Sequence, residues 1–230
     1  MSSYQGMCDS DPLATKSYWV DDLSGNGEMN WVGNVNGASA SNTVFTQADE
    51  SHPGVRACAS GTSSTGRATV RMTSTSYIFG GAFHWLSAVW KTTDLSTAAQ
   101  EYLAWCGYAD SIAAESVDGA YFYYDRATSG DFFIAVTASN SARTKTVTSV
   151  PIVAGQWYFL KIEVNRDGTQ VRFFIDNVLV ATTTTNIPTG AGRGSAPTWG
   201  GRKTAGTTSV GLGSMDLFQG TFMTNAPRFV

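Results

Sequence analysis

The sequence predicts an all-β protein, a two-sheet antiparallel jelly-roll sandwich, on three observations. Helical periodicity is nearly absent. Short β-branched and aromatic runs recur in period two between clusters of Gly, Asn, Asp and Ser. These runs amount to about twelve to fifteen strands over 230 residues, without a linker-like change of composition or a fixed-period repeat. That is too many for an immunoglobulin-like sandwich of about 100 residues and suits a jelly roll better.

Taken in order, the elements begin after a polar stretch. Residues 1–17, with isolated Tyr4, Met7 and Leu13, are expected to form an N-terminal arm, residues 18–224 a single domain, and residues 225–230 a tail. Trp19 and Trp31 fit core anchors, and His52-Pro53-Gly54 fits a fixed turn before a strand. From Gly66 to Met72, apolar Ala68, Val70 and Met72 alternate with Arg67, Thr69 and Arg71, the pattern of a half-buried strand. The segment Asp94–Ala104 is the best helix candidate, with Asp94 as cap and Ala98, Ala99 and Leu103 as helix formers. Two aromatic strands, Gly119–Tyr124 and Asp131–Thr137, flank an Asp125–Gly130 turn, and Arg143–Thr148 alternates like an edge or solvent-facing strand.

The strongest signal is a three-strand meander. Gln156–Asn165 and Thr169–Asp176 flank an Asp167-Gly168 turn, and Asp176-Asn177 turns the chain into Val178–Thr183. In the first strand Tyr158, Leu160, Ile162 and Val164 should face the core, opposite Trp157, Phe159, Lys161 and Glu163. Asn186-Ile187-Pro188 fits a connection that switches sheets. Gly190–Gly201 fits a loop or irregular strand, and Thr207–Leu217 and Phe218–Met223 fit the last strands.

Composition excludes several classes of function. The hydrophobic fraction of 42% excludes wholesale disorder, and no apolar run approaches the roughly 20 residues of a membrane helix. A net charge of −3 speaks against an electrostatic nucleic-acid binder, so neither nucleic acid nor membrane is an expected partner. Only 14% of residues are charged, which weakens self-repulsion and favours assembly. Cys8, Cys58 and Cys106 are too few and too dispersed for a disulfide framework or a zinc site, and buried free thiols are expected. The N-terminus shows no basic leader followed by an apolar stretch, so synthesis in a cytoplasm is expected.

The run Ala154–Asp176, with its Gly-x-Trp-Tyr-x-Leu-x-Ile-x-Val-Asn core, resembles the concanavalin A-like lectin/glucanase superfamily. A narrower likeness is carried by Trp19–Leu23, Gly27–Trp31, His52–Val55, Asp118–Phe122, Thr185–Thr189 and Lys203–Thr208. In this order they resemble lectin-like domains of tailed-phage virion proteins, such as tail-fibre segments and capsid-decorating proteins. The resemblance implies a non-enzymatic structural protein of the particle, located in the virion. It also implies partners among the major capsid or tail proteins and a homo-oligomer, with three as the number because phage decorations and fibres commonly sit on three-fold axes. A carbohydrate-binding lectin module is the alternative, and a polysaccharide-cleaving enzyme the third reading.

Glucanases of this superfamily need two carboxylates on one strand face, about 5–5.5 Å apart for retaining chemistry. Glu115 and Asp118 are three apart, Glu163 is alone on its strand, and Asp21, Asp22 and Glu28 lie early in loop-like sequence, so none matches. Alginate-lyase relatives need Arg, Gln, His and Tyr on facing strands. Here the only histidines are His52, in a turn, and His84, in phase with Leu86 and Ala88, which reads as a hydrogen-bonded structural side chain. No catalytic set is therefore expected, and no cofactor. A hard cation such as Ca²⁺ has its best candidate ligands in Asp110, Glu115 and Asp118 of the acidic segment Gly107–Gly119, whose alternative is a solvated loop turning at Asp118-Gly119. For glycan or protein contact the candidates are Trp90, Tyr121, Tyr123 and Trp199, drawn from an aromatic content of 12%.

Overall fold

In the computed structural model, which describes residues 16–21, 31–45, 52, 55–72 and 77–224, fifteen strands form two antiparallel sheets packed face to face. The all-β jelly-roll expectation holds. One sheet contains β1 (Lys16–Asp21), β3 (Ser41–Phe45), β4 (Val55–Ala59), β6 (Ala82–Lys91), β11 (Tyr158–Val164), β12 (Val171–Ile175), β13 (Val178–Thr183) and β15 (Gly211–Thr224). Its order is β13-β12-β11-β6-β15-β4-β3, and β1 pairs with the second half of β15 beyond β4. The other sheet runs β10 (Ala142–Pro151), β9 (Phe132–Ser139), β8 (Gly119–Asp125), β7 (Tyr102–Ala109), β14 (Ala196–Lys203), β5 (Arg67–Met72), β2 (Trp31–Asn36).

The meander forms as its turn residues dictate. Asp176 and Asn177 both take positive φ, 50° and 65°, the backbone a tight two-residue hairpin turn needs. At the preceding turn the Asn165 carboxamide oxygen accepts from the Thr169 and Gln170 amides, and Gly168 supplies φ +64°. Tyr158, Leu160, Ile162 and Val164 are buried in the inter-sheet core with Phe173, Phe122 and Phe133, while Lys161, Glu163 and Arg172 form ion pairs on the far face. Trp31 packs against Phe218 from the core's margin. Cys58 and Cys106 are buried free thiols whose pKa burial raises. Cys8, the His52-Pro53-Gly54 turn beyond His52 itself, the side chain of Trp19, most of the N-terminal arm and the C-terminal tail lie outside the described residues.

Three elements differ from expectation. Asp94–Ala104 is not a helix: Thr97 and Gln100 bond each other's backbone in a tight turn, and β7 starts at Tyr102. Asp94 spends its carboxylate on the Gly211 amide instead of a cap. The helix of the chain's described part is a single turn, α1 (Arg126–Ser129), capped by the Asp125 carboxylate inside the expected turn. Gly190–Gly201, read as a loop or irregular strand, is strand from Ala196 on, as part of the regular β14, and the last two strands are one, β15, bulged at Asp216. The connection through Asn186-Ile187-Pro188 does lead from one sheet to the other.

Candidate functional site

In the seven-stranded sheet, alternate residues of each strand turn away from the core onto an outer face. Ladder register assigns it row by row. The central row runs Asn34, Thr69, Gly200, Trp105, Tyr123, Ile134, Val147 across the seven strands. The next runs Val32, Arg71, Thr198, Gly107, Tyr121, Val136, Lys145. On the other side, one end of the face carries Asn36, Arg67, Arg202, Leu103 and Asp125. Gly200 is fixed by its φ of +128° and by close packing on β5, where a Cβ would lie 2.4 Å from the Ala68 carbonyl oxygen.

A strap closes most of this face. The connection from β7 to β8, residues 110–118, crosses it instead of turning tightly. At one end the Thr69 hydroxyl donates to the Ile112 carbonyl (2.8 Å) and Arg71 Nη1 to the Asp110 carbonyl (3.2 Å). At the other, Glu115 meets Lys145 Nζ at 2.8 Å and Arg143 Nε at 3.3 Å, and Arg143 Nη2 donates to the Ser116 carbonyl at 2.7 Å. Beneath it Trp105, Tyr121, Tyr123, Ile134 and Val136 form a second buried apolar cluster. Burial, with the neighbouring Glu115 charge, raises the Tyr121 and Tyr123 pKa values, so both phenols stay neutral at ordinary pH.

The proposed contact aromatics are therefore corrected. Tyr121 and Tyr123 are 1% and 2% exposed under the strap, and Trp90 and Trp199 are 2% and 0% exposed in the inter-sheet core. Trp90 lies on Gly213, whose absent Cβ would stand 2.5 Å from the indole Nε1. None forms an exposed platform, because strand aromatics in a sandwich fill both the core and the strap's underside.

The proposed cation ligands are corrected too. Asp118 accepts from Arg193 Nη1 (3.0 Å) and the Asn140 amide (2.8 Å), Asp110 from the Val117 amide (3.0 Å), and Glu115 pairs with Arg143 and Lys145. Each carboxylate is spent on holding the strap. Among the described residues no three His, Cys, Asp or Glu side chains converge as a metal site would require. Glu163 lies on the opposite sheet, paired with Lys161 and Arg172. His84 is buried edge-on to Tyr77, Phe79 and Tyr108, and burial lowers its pKa to about 4, partly offset by the Ile78 backbone. The interior offers a cavity of about 10 Å³ beside Trp90 and Cys106, too small for a ligand.

What the strap leaves open is the end row, with Arg67, Arg202, Leu103 and Asp125 partly exposed. The sequence showed Arg67 in an alternating strand but gave no sign of its partner, since Arg202 follows a segment, Gly190–Gly201, that reads as a loop or irregular strand.

The sequence family described as "SO2946-like, C-terminal domain" matches residues 51–217, most of the chain. The chain belongs to this family. Among solved structures, this SO2946-like chain is similar to a protein of unknown function, SO2946, from Shewanella oneidensis MR-1. The identity is 17%, over 93% of this chain and 89% of that one, with a TM-score of 0.67. It is also similar to an endo-1,3-β-glucanase from Streptomyces sioyaensis (13% identity, 91% and 97% covered, TM-score 0.61). A third is the carbohydrate recognition domain of Emp47p (10%, 94% and 96%, 0.55). No curated protein sequence matches the chain. At these identities the likeness establishes the concanavalin A-like lectin/glucanase fold of the SO2946-like domain, and that alone.

Proposed function

We propose that the chain is a non-enzymatic lectin-like module that serves as a structural or adhesive protein of a tailed-phage particle. The observation that carries the non-enzymatic reading is the make-up of the outer face. On β7 and β8 its positions are Leu103, Trp105, Gly107 and Ala109, and Gly119, Tyr121, Tyr123 and Asp125. A retaining glycosidase needs two carboxyl groups about 5–5.5 Å apart. These two central strands supply one, Asp125, and its oxygens are engaged by the Ala127 amide and the Thr128 hydroxyl at the start of α1. The strap then occupies the space a polysaccharide chain would cross.

The lectin-like part is supported by the fold shared with a carbohydrate recognition domain. The phage part is supported by the ordered motifs noted in the sequence and by a charge content of 14%. The partners in this reading are the major capsid or tail proteins, and the chain forms a homotrimer in the virion. The test is quantitative mass spectrometry of purified particles, where the chain should appear at a fixed ratio to the major capsid protein. Its absence from particles would end the virion reading, and release of reducing sugar from β-glucans would end the non-enzymatic one.

A further inference from the structure

We propose that the open end of the outer face is an anion-recognition site that binds a carboxylate-bearing glycan through Arg67 and Arg202. This rests on the lectin-like reading above and names its ligand class. The two arginines are direct partners across the β5–β14 ladder. Opposed residues on one face have Cβ atoms about 4.5–5.5 Å apart, and like charges there destabilise a sheet. Six other basic side chains, Arg126, Arg143, Lys145, Lys161, Arg172 and Arg193, each meet an Asp or Glu, whereas Arg71 donates to the Asp110 carbonyl and Lys203 to the Gln100 side chain and the Thr208 carbonyl. Among the described residues, neither Arg67 nor Arg202 forms an ion pair.

Their remaining hydrogen bonds sharpen the point. Arg67 Nε donates to the Asn34 carboxamide oxygen at 2.7 Å, which fixes the guanidinium plane and leaves its terminal nitrogens for other acceptors. Arg202 Nε is buried without a hydrogen-bond partner among the described residues, as is Arg71 Nε two rows away. Both guanidinium groups of the pair, Arg67 and Arg202, are partly exposed on the same face, and terminal nitrogens so placed suit a planar oxyanion in bidentate geometry. Leu103, beside Arg202 in the same row, adds half-buried apolar surface against which a sugar ring can lie. A carboxylated sugar combines the planar anion and the flat apolar face that this end offers.

The experiment titrates the full chain with oligogalacturonate and with its methyl-esterified form, which keeps the sugar and removes the charge. Wild type should bind the acid form, more weakly as salt rises, and should not bind the ester. Arg67→Gln and Arg202→Gln should each weaken binding by tenfold or more while the melting temperature holds or rises, because a like-charge contact is relieved. A fall in melting temperature in both variants would mark the pair as structural and overturn the site. So would acid-form binding that both variants retain. Binding of acid and ester alike would leave the lectin reading standing and refute the anionic site. Binding of neither would refute the site, and silence against a panel of neutral glycans as well would remove the lectin reading with it.

Discussion

His52 and Asp216 meet at 2.8 Å, imidazole Nδ1 against a carboxylate oxygen, at the residue where β15 bulges away from β6. The His52 ring also stacks on Trp157 with centroids 4.1 Å apart, and Lys91 Nζ sits 4.3 Å from the same indole. A contact between residues 164 apart in sequence thus pins the bulge to the strand that opens the meander. His52→Ala and Asp216→Ala should each cost about 1–2 kcal/mol in urea unfolding. The double mutant should cost less than the sum, and strict additivity would show the two side chains to be uncoupled.

Leu160 and Ile162 are 2% and 1% exposed in the inter-sheet core. Truncation of either to Ala should cost about 2–5 kcal/mol through lost burial and the cavity left behind. Losses below about 1 kcal/mol at both positions would mean the core collapses around them.

Acid should weaken the fold through His84. In the folded protein its pKa is about 4 against 6.5 when unfolded, because burial opposes the charged imidazolium. Between those values the unfolded chain takes up a proton that the folded chain refuses, so stability is full above about pH 6.5 and falls as pH drops toward 4. Below that the contribution levels off, after a loss of about 3 kcal/mol. His84→Phe, among Tyr77, Phe79 and Tyr108, should flatten unfolding free energy over this window.

Glu115→Gln removes the two ion pairs that hold one end of the strap. Both partners are partly exposed, so the expected cost is about 1 kcal/mol or less. The more sensitive readout is iodide quenching of tryptophan fluorescence, which should rise as Trp105 becomes accessible. Chelator should leave the melting temperature of wild type, Glu115→Gln and Asp118→Asn unchanged. A chelator-induced drop in wild type that both variants lose would restore the acidic segment as a metal site.

Light scattering on the full chain should give three times the monomer mass at micromolar concentration, and a chain lacking residues 1–17 should give less. A monomer that also fails to bind purified capsids or tails would remove the assembled reading.

The sheets were legible because their information is local. Alternation over Tyr158–Val164 and the two turns at Asp167-Gly168 and Asp176-Asn177 specify strand, facing and hairpin without reference to the rest of the chain. Asp94–Ala104 misled because helix formers are outweighed there by tertiary demands: Tyr102 is buried in the core, and Asp94 is drawn to Gly211 across more than a hundred residues. The candidate site was only half legible. Period two places Arg67, Thr69 and Arg71 on one face, but which strand lies beside them depends on a long-range ladder. Arg202 arrives there from a glycine-rich stretch in which the sequence shows no alternation. Tyr121 and Tyr123 were recognisable as a pair, yet their burial depends on the path of residues 110–118, which no periodicity encodes.

Ala109 and Gly119 are directly paired, so the strands on either side already form a complete hairpin whose closure needs only a two-residue turn. The residues between them, 110–118, are therefore not needed to pair these two strands. Shortening that segment would unroof Trp105, Tyr121 and Tyr123 in one step and leave an open aromatic trough. Lengthening or recharging it would redraw what the trough admits. The length and charge of this one connection therefore decide how much of the trough is open, while the strand pairing beneath is unchanged.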